Sequence, residues 1–159
     1  MPSIPIHQLR DRGVVSGIQI EYFNPGDEAD EPETLDAHRD DHYLFFLVDK
    51  GSATVMIDFH EIQLSAPSLY YILPGQVHHR IKADFGGGWF MAIDTSLLNP
   101  EHRQVFEQRM DLQQPIQLSD TQAQQYMTLL CLLKKSMMRI TVSHFTCRLF
   151  TPCCMPLRA

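Results

Sequence analysis

His38, Asp40, His42 and His78 are of the types that bind metals, hold polar ligands or move protons, and three of them alternate along one short segment. Side chains of an extended chain repeat their direction every second residue, so His38, Asp40 and His42 share a face. His78 stands at the start of a later expected strand, after Pro74-Gly75-Gln76-Val77, with His79 directed the opposite way. Such a set offers mixed nitrogen and oxygen donors to iron, manganese, nickel or zinc. It also offers hydrogen bonds to a polar small molecule. The polar pocket is the primary expectation, with no cofactor. A catalytic metal on His38, Asp40, His42 and His78 is the alternative. Trp89, the only tryptophan, reads as core, with stacking on a ligand as its second role. No nucleophile is paired with a base, because G-x-S-x-G, Walker and H-E-x-x-H patterns are absent.

The elements that must position these residues are strands. Between residues 14 and 95 the chain has short β-branched and aromatic runs broken by frequent turn residues. Residues 14–15 lead into an alternating run at 18–22, and 42–48 is apolar nearly throughout, as in a strand covered on both faces. Turns are expected at 49–51, at 59–60, at Pro74-Gly75 and at a hairpin tip formed by Gly86-Gly87-Gly88. The glycine triplet precedes no helix, so it is not a phosphate cradle. Seven or so strands at this spacing predict a mainly β antiparallel sandwich or barrel.

Helical signals begin at Asn99-Pro100, an N-cap followed by proline, with Val105, Phe106 and Met110 on one face. Ser119 and Gln122 make a capping box for a second helix. Its stripe runs through Ala123, Tyr126, Met127, Leu130, Leu133 and Met137, widened by Leu129 and Leu132. That surplus predicts either packing on the β unit or dimerisation through Tyr126, Met127, Leu129, Leu130 and Leu133. Beyond residue 135 the pattern lapses, and residues 136–159 read as an atypical tail, disordered or the product of truncation. The expected units are therefore a β-barrel over 1–96, a helical dimerisation segment over 97–135 and that tail.

Composition narrows the function classes. The chain has 159 residues, 44% of them hydrophobic, and a net charge of −6, which argues against gripping nucleic acid unaided. Fifteen acids face six Lys/Arg up to residue 100, against four and seven afterwards. The densest acidic run, 27–41, reads as a solvated loop. No stretch has 18 uncharged apolar residues, so no membrane helix is expected. Without a signal-like apolar segment the expected compartment is the cytoplasm, where Cys131, Cys147, Cys153 and Cys154 stay reduced.

The segments HRDDHYLFFLVDKG (38–51) and APSLYYILPGQVHH (66–79), with the aromatic strand at 88–94 and two following helices, resemble the N-terminal domain of AraC-type transcriptional regulators. The resemblance spans about residues 14–135 and implies a cupin-like antiparallel β-barrel (a double-stranded β-helix, or jelly roll) followed by two α-helices. It also implies that the barrel binds a small effector, sugar-like or other, and that the helix after it forms a homodimer. DNA would then be bound only through a C-terminal helix-turn-helix domain, which this chain is expected to lack. Against the metal motif of catalytic cupins, His38 and His78 match, Asp40 stands for a histidine and Leu44 lies near the glutamate position. The implied role is ligand sensing without catalysis, and a small metal-dependent cupin enzyme, isomerase or dioxygenase, is the rival.

Overall fold

Two long strands carry the fold of this chain, for which a computed structural model describes residues 4–12, 16–24, 36–108 and 113–149. In order come β1 (Ile6–His7), β2 (Ile18–Phe23), β3 (Arg39–Asp40), β4 (His42–Ile57), β5 (His60–Ser65), β6 (Ser68–Ile72) and β7 (His78–Asp94). Then follow α1 (Pro100–Glu107), β8 (Ile116–Gln117) and α2 (Asp120–Leu149). β4 and β7 pair antiparallel from His42↔Asp94 to Ile57↔His78. The main sheet runs β2-β7-β4-β6-β8, with β5 hydrogen-bonded to β4, and a small parallel pair joins β1 to β3. The architecture is mainly β, antiparallel and cupin-like, with two helices.

The turn expected at 49–51 and the hairpin tip expected at 86–88 are both absent: each lies inside a continuous strand. The pairing shifts register at Val48/Lys50 and Lys50/Gly51, where Gly51 has φ 83°. Gly51 therefore makes a bulge, which bends a strand with the same residue types that would reverse it. The glycine triplet serves close approach instead. A β-carbon on Gly88 would lie 2.4 Å from Phe23 Cζ and 2.5 Å from the Leu47 carbonyl oxygen. The reversal between β4 and β5 is a two-residue turn, with Asp58 and Phe59 both at positive φ, the mirror-image geometry that matches strand twist.

β4 is covered on both faces over its first half. Leu44, Phe46 and Val48 belong to one cluster with Ile57, Leu64, Tyr70 and Ile72. On the opposite face Tyr43 and Phe45 pack against Phe106 of α1, while Leu47 joins Ile20 and Trp89 beneath α2. Burying each such aliphatic or aromatic side chain stabilises the fold by about 1.5–3 kcal/mol. α1 begins as its cap dictates, with Asn99 Oδ1 accepting from His102 N at 2.8 Å. Only Phe106 of its expected face packs inward; Val105 is exposed, and Met110 lies outside the described residues.

α2 opens on the reciprocal Ser119–Gln122 capping bonds. It turns Met127, Leu130, Cys131 and Met137 onto the Ile20–Leu47–Trp89 cluster, and Lys134 pairs with Glu21 of β2. The helix continues past residue 135 to Leu149, so residues 136–149 of the expected tail are helical backbone. Thr, Ser and Val in this stretch are mediocre helix formers, but no glycine or proline interrupts before Pro152. Residues 14–15, 27–35 and 150–159, with Cys153 and Cys154, lie outside the described residues. Among the described residues no helix is long and apolar enough to cross a membrane.

Candidate functional site

Backbone pairing brings the chemistry-bearing residues together. His38 and His78 form an antiparallel bridge, with N···O distances of 3.1 and 2.9 Å. β1 and β3 pair in parallel, setting His7 opposite Asp40. Arg39 and Asp41 are exposed while His38, Asp40 and His42 are buried, the alternation of an extended segment. The result is one cluster of His7, His38, Asp40, His42 and His78.

The approach to His78 is held by a β-turn. Gln76 N donates to Leu73 O at 3.2 Å, with Pro74 and Gly75 in the central positions and Gly75 at φ 82°. This is the type II geometry, whose third residue needs positive φ. Nothing lies within 4 Å of a β-carbon built on Gly75, so the requirement is one of backbone conformation alone. Gly75→Ala is expected to cost about 1 kcal/mol and lower Tm by about 2–4 °C, read by thermal melting.

A polar network locks the same turn from below. The buried Gln76 side chain accepts from Leu73 N at 2.8 Å and donates to Asp58 Oδ2 at 2.9 Å. Asp58 Oδ1 accepts from Val77 N at 2.9 Å. Gln113 donates to Gln76 Oε1 at 2.7 Å and to Tyr71 O at 2.9 Å. Each member satisfies another, as buried polar groups must.

The ring nitrogens of the cluster are ordered by their outer partners. His38 Nδ1 faces Asp36 O at 2.8 Å and His78 Nδ1 faces Gln76 O at 3.0 Å. A carbonyl only accepts, so both Nδ1 atoms carry hydrogen and donate. His42 Nδ1 lies 2.9 Å from the Asp41 carboxylate, which likewise accepts. Nε2 is thereby the remaining ring nitrogen of all three imidazoles. His78 Nε2 stands 3.3 Å from Asp40 Oδ2, and His42 Nε2 4.0 Å from the same oxygen. His7 stacks on His38 at 4.4 Å, and His38 meets His78 edge-on at 4.3 Å.

These contacts set the ionisation of the group. Burial pushes His38 down from its ordinary value, and the neighbouring His78 and His7 add to this against the opposing effects of Asp36 and Asp40. For Asp40 burial acts upward, but the hydrogen bond from His78 and the charges of His78, His42 and His38 hold its carboxyl below the usual range. An ionised carboxylate surrounded by imidazoles suits a polar or cationic guest.

Trp89 stands apart from this group. It packs with Leu47, Ile20 and Tyr22 under α2, because it pairs with Leu47 and Tyr22 rather than with the strand end at His42. Trp89 is therefore a core residue of the helix-facing cluster. Met127 and Leu130 face the same cluster, leaving Tyr126, Leu129 and Leu133 on the outer side of α2 at 46%, 55% and 43% exposure, with Leu132 on their flank. His7, Asp58, Gln76 and Gln113 were not singled out from the sequence. His7 sits in a two-residue parallel pair with no periodic pattern, and the other three meet across gaps of 18 and 37 residues.

No curated protein matches the chain. The family model described as AraC-like ligand binding domain matches residues 27–133, which take in β3 to β8, all of α1, the first part of α2, and all of the cluster but His7. The chain belongs to the family of AraC-like ligand binding domains.

Proposed function

We propose that this chain binds a small polar effector where His38, Asp40, His42 and His78 meet, and that it does so without chemical transformation. The observation that carries the reading is a buried Asp40 carboxylate, 3% exposed, ringed by imidazoles in a ligand-binding family. Hydrogen-bond donors and acceptors at fixed positions in a desolvated setting are what a sugar or sugar-acid hydroxyl array requires. In this reading residues 1–96 form the binding unit and 97–135 the association segment. Contacts with DNA belong to a helix-turn-helix domain outside these residues.

The route to a regulatory output runs along the long strands. β4 carries His42 at its start and Leu47 five residues later, and Leu47 lies beneath α2. An effector that favours one placement of His42 thereby favours one seating of α2, and only such differential binding shifts a population. α2 in turn offers Tyr126, Leu129 and Leu133, a strip at i, i+3 and i+7, to a second copy of the chain. Leu129→Glu with Leu133→Glu is expected to convert a dimer to a monomer at unchanged melting cooperativity. Sedimentation velocity reads this, and a wild type already monomeric at 100 μM, on the order of a weak dimer's Kd, contradicts it.

The test of the binding reading is a thermal-melting screen in chelator-containing buffer against sugars, sugar acids and aromatic metabolites. A true effector at a hundred times its Kd adds about 2.7 kcal/mol of stability. The expected result is a saturable rise in Tm for one chemical class. A flat response across all three classes contradicts the reading.

A further inference from the structure

His7 has no part in the effector reading, yet it stands inside the cluster. We propose that His7, His38 and Asp40, with His78 beside them, bind one divalent transition-metal ion of the zinc class, and that this ion ties β1 to the rest of the scaffold.

Donor atoms of His7, His38 and Asp40 all lie within 4.8 Å of one another. Around a four-coordinate ion with bonds of about 2.0–2.1 Å, neighbouring donors sit about 3–3.5 Å apart, so the set must draw in by up to about 1.5 Å, with the stacked His7 and His38 rings turning to share the ion. Two of its atoms are orphaned: His7 Nδ1 and Asp40 Oδ1 are buried without a hydrogen-bond partner, 3.9 Å from each other. A buried carboxylate oxygen with no donor is costly, and a cation between it and the imidazoles removes that cost. His78 adds a second sign. Its Nδ1–H is given to Gln76 O, and its Nε2, the nitrogen left for a ligand, stands 3.3 Å from Asp40 Oδ2.

The outer contacts fit as well. Metal-bound histidines donate their second ring N–H to a carbonyl or carboxylate, which fixes the tautomer and raises the basicity of the ligating nitrogen. His38 does this to Asp36 O and His78 to Gln76 O. Imidazole with one carboxylate suits zinc, cobalt, nickel or iron rather than magnesium or calcium, which prefer oxygen. His7 is what distinguishes this site from the alternating set in β3 and β4. It belongs to a two-residue strand whose regular pairing is two residues of β3. A metal–imidazole bond gives β1 a tether that its pairing alone does not supply.

The test uses tag-free full-length chain stripped with chelator and titrated with Co²⁺, then Zn²⁺. The expected result is one Co²⁺ per chain with a visible d–d band, displaced by Zn²⁺. His7→Ala is expected to weaken Co²⁺ binding at least tenfold, with His7→Gln as a second variant of similar bulk, at unchanged circular dichroism. His60→Ala, in an exposed position outside the cluster, is expected to bind as wild type. Substoichiometric Co²⁺ binding overturns the proposal, as does a His7→Ala or His7→Gln chain that binds with wild-type affinity. Because the metabolite screen runs in chelator, an absent metal leaves the effector reading intact, and a failed screen leaves the metal result intact.

Discussion

Gln76→Ala is expected to lower the stability of the chain by about 3 kcal/mol, with the urea midpoint falling and the m-value unchanged. The substitution removes the acceptor of Leu73 N–H, one partner of Asp58 and one of the two partners of the Gln113 amide nitrogen, in a part of the fold where Gln76 and Gln113 are both buried. Each polar group left unpaired costs about 1–3 kcal/mol, because water cannot replace the lost partner without opening the turn. The loss reaches function through His78, whose Nδ1–H is held by the Gln76 carbonyl. Effector binding is expected to weaken in parallel with stability. A midpoint within error of wild type would show that the network is not what holds this turn.

Gly88→Ala is expected to cost a comparable amount, about 2–3 kcal/mol, for a different reason. The added methyl would sit 2.5 Å from the Leu47 carbonyl oxygen and 2.4 Å from Phe23 Cζ. A side chain tip can swing aside, but Leu47 O belongs to the central strand β4, which pairs with β7 at this point, Leu47 opposite Trp89. Overpacking against fixed backbone costs about 1–3 kcal/mol, and two simultaneous contacts place this site at the upper end. The same substitution at Gly75, where no atom lies near, is limited to the conformational cost of positive φ. The ordering Gly88→Ala above Gly75→Ala in chemical denaturation separates close approach from backbone conformation as the reason each glycine is there.

That contrast also marks how much of the molecule was legible in its sequence. The β-rich region and the caps of both helices are local signals, and they stand in the structure where residue type placed them; the tight reversal before β5 exists but falls at 58–59, one residue earlier than the expected 59–60. The continuity of β4 through Gly51 and of β7 through Gly86 to Gly88 was not legible, because a bulge, a close approach and a turn draw on the same residues. α2 runs to Leu149 beyond the point where its apolar stripe weakens, because helices stop at breakers and caps rather than where apolar periodicity fades. At the candidate site, the period-two repeat of His38, Asp40 and His42 is written locally, and His78 follows a recognisable Pro-Gly turn. His7 and the Asp58–Gln76–Gln113 network are long-range matters: their neighbours are set by strand order, which residue spacing does not encode.

The inward and outward sides of α2 illustrate the same limit. Apolar periodicity marked a stripe too wide for a single contact but did not say which residues would turn inward. The ion pair of Lys134 with Glu21 and the packing of Met127 and Leu130 on Leu47 and Trp89 fix the rotation of the helix, and so leave Tyr126, Leu129 and Leu133 outward.

Isothermal titration of the metabolite with the largest melting shift, in chelator, onto wild type and Asp40→Asn tests the central claim most directly. Asp40 is the buried charge on which the histidines converge, and its replacement keeps the volume while removing that charge. The account predicts one site per chain in the wild type and a Kd at least tenfold weaker in the variant, a loss of about 1.4 kcal/mol. An unchanged Kd in Asp40→Asn would contradict it.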